Sequence, residues 1–420
     1  MALNILAQIT TATVYLYLLA LTTSIAGMEA FSWLTAIIVL LMYLVDHFGE
    51  KTLPRFRLPG DLFLWGFWLV VTLGALLIPD ISGKDQKYMI SNIRWVLLIY
   101  AFSYLLSFKF KSLKKYLPVL FGFAGLVAIY AIVQVPTGLE LAREVGNPKN
   151  RYGDLFRAHG FFYSTMTYSY SFGMLFCFML ASWIYKVFDG WVGRFLVPIT
   201  TTVVGISLIL SFTRGLWIAL AAAVFVMLFS IKRKFGYMLI VAGSVLVVLA
   251  MIFSPIVRDR ITSIGDFNNS SNLGRIHVWQ GNWAMFLDNP VLGVGHRRNT
   301  EMLPVYYEKI GLDTSYVSNA HNTYLQVLGG TGLLGLLSYC GFMFVFMMTA
   351  FRLWKNSTEP LARSIGLGAI GGMVCLHVGG LTQVNFFDGE VTHVFVFTTA
   401  CLLATYFHYV QNRKELGKDL

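Results

Sequence analysis

Arg214 and Arg275 are the two residues whose type and position most directly suggest phosphate chemistry. Arg214 lies in the segment 211–215, Ser-Phe-Thr-Arg-Gly, between two apolar runs so close together that their turn must lie at a membrane surface. A guanidinium presents a planar fork of N–H donors that matches phosphate oxygens. The alternatives are an Arg214 side chain that snorkels to lipid headgroups and an Arg275 on an amphipathic helix lying in the interface.

Two further arginines are candidates for the same role. Arg94 lies one or two turns inside an apolar run, where a satisfied ion pair or snorkelling is the alternative. Arg157 ends a segment of mixed charge directly before another apolar run, and such a segment is mostly a solvated face. We include both as possible phosphate ligands.

His321 is the candidate general base. It lies where a long polar segment enters an apolar run, within reach of both water-borne and lipid-borne groups. A neutral imidazole in that position can accept a proton near pH 7. Asn322 follows it and could orient the ring, and the glycine-rich stretch 329–335 lets neighbouring helices approach. The other histidines are interpreted as core or interface residues: His47, His159, His277, His296, His377, His393 and His408.

The composition shows what kind of structure must position these residues. The 420 residues are 56% hydrophobic and 13% charged, with a mean hydropathy of +0.65. So few charges could not cover a soluble core of this size, and the apolar runs have the length of bilayer-spanning helices. The sequence therefore predicts an all-α polytopic membrane protein of about 12 spans. They lie near 5–25, 30–45, 62–79, 88–107, 116–135, 164–186, 194–212, 215–231, 236–254, 323–350, 363–382 and 391–409.

Much of the net charge of +11 reflects how the chain is oriented in the membrane. Eighteen of the 32 Lys and Arg residues lie on alternate connections and the C-terminal tail, which predicts that this side, with both termini, is cytoplasmic. We therefore expect no nucleic-acid partner. The sequence predicts three regions. Residues 1–255 form nine spans with a shorter outer loop at 138–160, residues 256–320 form a large outer loop, and residues 321–420 form three spans and a tail.

The large outer loop contains a predicted short helix. The helical pattern runs from Leu273, and Asp288 and Pro290 mark its end. The segment 293–295, Gly-Val-Gly, then predicts a tight turn. Residues at helical spacing along it are Arg275, Trp279, Asn282 and Phe286.

Metal-binding signals are weak in this sequence. No DD, DE, ED or DxD pair occurs, although separate acids could still converge in space. The cysteines lie in apolar runs and offer neither a disulfide framework nor a CxxC pair: Cys177, Cys340, Cys375 and Cys401. We expect metal-independent chemistry without a cofactor.

The segment that begins at His321 resembles a known family. His321-Asn322, nine residues, Gly332, two residues and Gly335 fit the pattern H-[NSQ]-x9-G-x-x-[GTY] of bacterial O-antigen ligases, the WaaL type within the O-antigen ligase and polymerase superfamily. Accompanying features are the segment 213–215, Arg275 with Trp279, and the segment 290–295, Pro-Val-Leu-Gly-Val-Gly. One departure is the absence of a Glu shortly before Gly332, where many superfamily members have one.

The resemblance implies a fold and an activity. The fold would be a GT-C-like glycosyltransferase with a large periplasmic loop in the bacterial inner membrane. The activity would be inverting transfer of O-antigen polysaccharide from undecaprenyl diphosphate to the lipid A-core oligosaccharide at the periplasmic face, completing lipopolysaccharide. His321 would be the general base and Asn322 would orient it. The diphosphate would be bound by Arg214, Arg275, Arg157 and Arg94.

Two groups of alternatives stay open. The O-antigen polymerase and the protein O-oligosaccharyltransferase of the same superfamily use the same kind of donor. A transporter or flippase of lipid-linked sugar is a different class, and it predicts ionisable groups near the bilayer midplane, whereas the candidates here cluster at one face.

Overall fold

The structure is a computed structural model that describes residues 2–48, 58–108, 112–141, 151–238 and 270–415, with isolated residues between 241 and 258. Its helices are α1 (Ala2–Thr23), α2 (Ile25–Phe48), α3 (Asp61–Leu77), α4 (Gly83–Ser91), α5 (Ile93–Phe108), α6 (Leu113–Thr137), α7 (Thr165–Ile184), α8 (Val197–Ile209), α9 (Arg214–Ile231), α10 (Ser270–Asp288), α11 (Asn299–Lys309), α12 (Thr323–Asn356), α13 (Pro360–Gly380) and α14 (Gly389–Glu415). A π-helical turn, Val192–Leu196, precedes α8. A small antiparallel hairpin is formed by β1 (Arg151–Tyr152) and β2 (Leu155–Phe156).

The prediction of an all-α polytopic membrane protein is confirmed. Nine helices of the described part are long and apolar enough to cross a membrane, and Asp61–Leu77 is a shorter apolar helix. The predicted span 88–107 differs in detail, because the chain breaks at Asn92 into α4 and α5. The total of twelve stays a prediction, since most of 236–254 lies outside the described residues.

Helix α13 is the centre of the bundle and packs against α7, α9, α12 and α14. Its glycines make this possible by close approach. A Cβ at Gly368 would lie 2.9 Å from Phe178 Cα, and one at Gly371 would lie 2.4 Å from Met227 Sδ. Without a hydrophobic driving force between helices in lipid, such close packing is a main source of helix association.

Helix α12 is interrupted at Gly332, and the segment 290–295 fills the interruption. Gly332 has φ 65° and ψ −167°, outside the helical region. The backbone N–H groups of Val294 and Gly295 donate to the carbonyls of Gly329 and Gly330, each at 3.0 Å. Interrupted membrane helices need such partners, because lipid offers the freed backbone groups none. The Gly332 of the sequence pattern is thereby explained by backbone geometry.

Helices α10 and α11 pack together and onto α12. Helix α10 ends at Asp288, as the sequence predicts. Its most buried side chains are Val278, Asn282 and Met285, while Trp283 is exposed. Only part of the predicted Arg275–Phe286 face is therefore buried, and Arg275 and Trp279 lie along its edge, where α10 borders a cleft.

Candidate functional site

Three of the four arginines proposed from the sequence line one cleft. Arg157, Arg214 and Arg275 meet there at the ends of α7, α9 and α13 and at the beginning of α10. The cleft has a volume of about 340 Å³, and its described lining contains no carboxylate. Its other polar walls are Tyr170, Thr213, Asn272, Trp279, Thr382 and Gln383. The described lining is therefore strongly positive.

Arg157 braces the turn that presents Arg214. Its Nε donates to the carbonyl of Ser211 at 2.9 Å, and a terminal nitrogen donates to Thr213 Oγ1 at 3.0 Å. Phe212, between these two partners, has a φ of 50°, in the left-handed region that few bulky side chains adopt. The contacts of Arg157 hold this strained turn, and Arg214 follows as the first residue of α9.

Arg275 brings a partly buried and incompletely satisfied cation to the cleft. Its Nε is buried and has no hydrogen-bond partner among the described residues. Burial, and then the positive charge of Arg214, lower the pKa of Arg275. Buried charges are normally paired. An anion in the cleft would supply the missing partner for Arg275 and would lie beside the charge of Arg214.

The ring of His321 is held at both nitrogens. Nδ1 lies 2.9 Å from Gln383 Oε1, and Nε2 lies 3.1 Å from Ser318 Oγ and 3.5 Å from the Tyr316 hydroxyl. An amide oxygen only accepts, so Nδ1 carries the proton and donates it. This tautomer leaves the lone pair of the neutral ring on Nε2, which is the form a general base requires.

The surroundings of His321 favour the neutral form of its ring. Burial lowers the pKa of His321 below its usual 6.5, the hydrogen bond that His321 donates to Gln383 opposes this in part, and the charge of Arg275 lowers the pKa further. Arg275 is therefore close enough to act on His321 electrostatically. Because Gln383 also lines the cleft, one residue connects the imidazole to the arginine cluster.

The structure gives the orienting contact to Gln383 and a different role to Asn322. Asn322 Oδ1 accepts from the backbone N–H groups of Tyr324 and Leu325 at 2.9 and 3.0 Å, and its Nδ2 donates to the carbonyl of Leu381. Asn322 is thus the N-cap of α12, a position that Asn favours. Gln383 was missed in the sequence because it lies 62 residues from His321. Its only signal was a polar side chain directly after an apolar run.

A buried network fixes helix α10 relative to His321. Trp279 Nε1 donates to the carbonyl of Ala320 at 2.8 Å, and Gln326 Oε1 accepts from the Ala320 N–H at 2.9 Å. Gln326 Nε2 donates to Asn299 Oδ1 at 2.7 Å, and Asn299 Nδ2 donates to Asn282 Oδ1 at 2.6 Å. Satisfied buried networks of this kind are rigid. The distance between Arg275 and His321 is thereby set by three helices.

Arg94 lies elsewhere. Its guanidinium forms an ion pair with Glu29 at 3.1 Å and lies 4.5 Å over the Trp95 ring. It lines a second pocket between α2, α3, α5 and α14. The structure therefore does not bring Arg94 to the other three arginines, and the ion pair considered from the sequence is what it forms.

The family model described as O-Antigen ligase matches residues 199–340. This range runs from α8 into α12 and contains Arg214, Arg275 and His321, together with the interruption at Gly332. No curated protein matches the chain.

Proposed function

Because the chain belongs to the O-antigen ligase superfamily, we propose that it is an O-antigen ligase. It transfers O-antigen polysaccharide from undecaprenyl diphosphate to the lipid A-core oligosaccharide at the periplasmic face of the bacterial inner membrane. The observation that carries this proposal is the positive cleft of Arg157, Arg214 and Arg275, whose wall residue Gln383 holds a neutral His321. Together they provide a site for a diphosphate and a base.

The arginine cleft fits the needs of the leaving group. The anomeric carbon of the donor sugar bears the diphosphate, on which negative charge develops as the C–O bond breaks. Arg214 and Arg275 stabilise that charge. Arg157 holds the turn before Arg214 and contributes a third positive charge to the cleft. Fixed cations in a poorly hydrated cleft stabilise such a charge more than water does.

His321 fits the needs of the acceptor. A sugar hydroxyl is weakly acidic, so it attacks the anomeric carbon as its proton passes to Nε2 of His321. The bond to the diphosphate breaks on the opposite face, which inverts the anomeric configuration and releases undecaprenyl diphosphate. The Ser318 hydroxyl now lies 3.1 Å from Nε2, and the acceptor hydroxyl would take the same kind of position. This assignment uses no metal.

A deletion strain separates ligase from polymerase. Lipopolysaccharide from cells lacking a ligase carries no capped species, whereas cells lacking a polymerase retain a cap of one repeat. We expect the first profile, restored by the wild-type chain supplied in trans. A single-repeat cap would move the proposal to the polymerase.

Purified protein separates an enzyme from a transporter. We expect detergent-solubilised chain to transfer polysaccharide from the lipid-linked donor to lipid A-core, with EDTA present throughout. Passage of the donor across a vesicle membrane without any transfer would favour a flippase. Transfer that stops on EDTA addition and returns with a divalent cation would contradict the metal-independent mechanism.

A further inference from the structure

The pocket that Arg94 lines, between α2, α3, α5 and α14, shares the 381–388 connection with the arginine cleft. The connection contributes Gln383 to the cleft and Phe386 and Phe387 to this pocket. The pocket has a volume of about 220 Å³. We call it the α3–α14 pocket, and the reaction described above leaves it without a role.

The interior of the α3–α14 pocket is hydrocarbon-like. Ile99 lies six residues inside α5 and Val396 seven residues inside α14, which places them roughly 9 to 11 Å below the helix ends. Its apolar walls include Leu64, Val71, Val96, Ile99, Phe395 and Val396. The pocket therefore extends inward from the bundle end between helices that are long and apolar enough to cross a membrane.

The mouth of the α3–α14 pocket is polar. Arg297 is exposed there, with its guanidinium hydrogen-bonded to the Tyr88 hydroxyl and 5.3 Å from the centre of that ring. Glu390 lies at the same mouth, and Arg94 is already paired with Glu29. Among the described residues, no carboxylate lies within ion-pair distance of Arg297.

The backbone at Arg297 is also unusual. Its φ is 66°, in the left-handed region where glycine is favoured and an arginine is uncommon. Strained residues of this kind persist where the surrounding structure holds them, and they are concentrated at ligand sites. The conformation aims a cation at the mouth of an apolar pocket.

We propose that the α3–α14 pocket binds one hydrocarbon chain of a phosphorylated lipid, with the lipid phosphate at Arg297 and a headgroup hydroxyl at Glu390. The polar mouth and the apolar depth together match an amphiphile rather than a soluble ligand. The identity of this lipid rests on the proposed function: it is the acylated and phosphorylated acceptor of the transfer. The donor and the acceptor would then occupy separate sites that share the 381–388 connection.

Photo-cross-linking tests the pocket directly. The probe is phosphatidylglycerol with a diazirine on its acyl chain, mixed into phosphatidylethanolamine vesicles that contain the full chain. We expect adducts on the apolar wall residues. Val71→Phe should lower labelling about tenfold, the loss expected when roughly two methylene groups can no longer be buried. Leu69→Phe is the matched control, since Leu69 lies on the same helix and is 52% exposed. Absence of wall adducts in the wild-type chain would overturn the proposal.

Arg297→Gly tests the phosphate contact without straining the fold. Glycine adopts a φ of 66° readily, so the variant should keep the fold although it loses the contact with Tyr88. We expect labelling by the phosphatidylglycerol probe to fall several-fold, while labelling by a diazirine diacylglycerol, which lacks the phosphate, stays unchanged. If the phosphatidylglycerol probe labels the variant as strongly as the wild type, the phosphate assignment is overturned.

Competition identifies the source of the lipid. Purified lipid A-core should displace the probe at lower concentration than unlabelled phosphatidylglycerol. The reverse order would overturn the acceptor assignment and make the occupant an ordinary phospholipid. His321→Ala should label like the wild type even when it transfers nothing, because labelling reports the pocket alone. Failure of the pocket and failure of the proposed ligase reaction are therefore distinguishable.

Discussion

At the scale of single residues, Gln383 decides what His321 can do. By accepting from Nδ1 at 2.9 Å, it places the lone pair on Nε2, beside the hydroxyls of Ser318 and Tyr316. An imidazole with the other tautomer would point its proton at the acceptor and could not act as a base. In the proposed mechanism, Gln383 is thus a positioning residue that acts through His321.

The pH profile of transfer is the first prediction. The pKa of His321 lies below 6.5, so the rate should rise on an acidic limb below that pH and be flat between pH 7 and 8. Gln383→Glu should move the limb to higher pH, because a carboxylate favours the imidazolium. Gln383→Ala should move it lower and reduce kcat roughly tenfold with little change in KM. Limbs that coincide in all three proteins would contradict the assigned role.

Lysine substitutions at the cleft are the second prediction. Arg214→Lys and Arg275→Lys keep the charge but lose the planar fork, so we expect transfer to fall about tenfold or more in each variant. Arg151→Lys is the control, since Arg151 lines neither pocket and its exposed ion pair with Asp154 needs only a charge. Initial rates with purified variants decide the point. Full activity of Arg214→Lys would mean that the residue is only a positive anchor.

At the scale of secondary-structure elements, the main feature is the interruption of α12. The segment 290–295 inserts its backbone at Gly332, and the helix before this point carries Asn322 as its N-cap directly after His321. Gly293 takes part from the other side, because a Cβ there would lie 2.4 Å from the carbonyl carbon of Gly330. Two glycines thereby let two backbones touch.

Glycine substitution in α12 is the third prediction. A Cβ at Gly332 would lie 2.3 Å from the Val291 carbonyl oxygen, and φ there is 65°. We therefore expect Gly332→Ala to lower the free energy of unfolding by about 3 kcal/mol or more, as large steric and backbone effects do. Gly122→Ala is the matched control, because a Cβ at Gly122 in α6 meets nothing within 4 Å among the described residues. Thermal unfolding in detergent measures both. Equal midpoints would show that the interruption is not fixed by this contact.

At the scale of the whole molecule, the sequence predicted the apolar spans and the residues at their ends, but not their partners. Hydropathy depends on local composition, so α7, α9 and α13 could be located from it. Arg214 and His321 stood out because each lies at a span boundary. Contacts between distant segments leave no such local signal. The pairing of Arg94 with Glu29 and of His321 with Gln383 required the folded bundle.

The arrangement of the two pockets suits a reaction between two membrane-anchored substrates. The arginine cleft and the α3–α14 pocket share the 381–388 connection as a common wall. Each substrate could enter beside different helices without passing the other. The candidate base lies next to this wall through its contact with Gln383.

The most direct test of the proposed mechanism is transfer by purified His321→Ala. The variant should insert and unfold like the wild type, bind the lipid-linked donor normally, and transfer polysaccharide to lipid A-core about 10² to 10⁴ times more slowly, the range typical of general-base catalysis. Its rate should lack the acidic limb of the wild type. Transfer by His321→Ala at the wild-type rate, with the same pH profile, would contradict the assignment of His321 as the base.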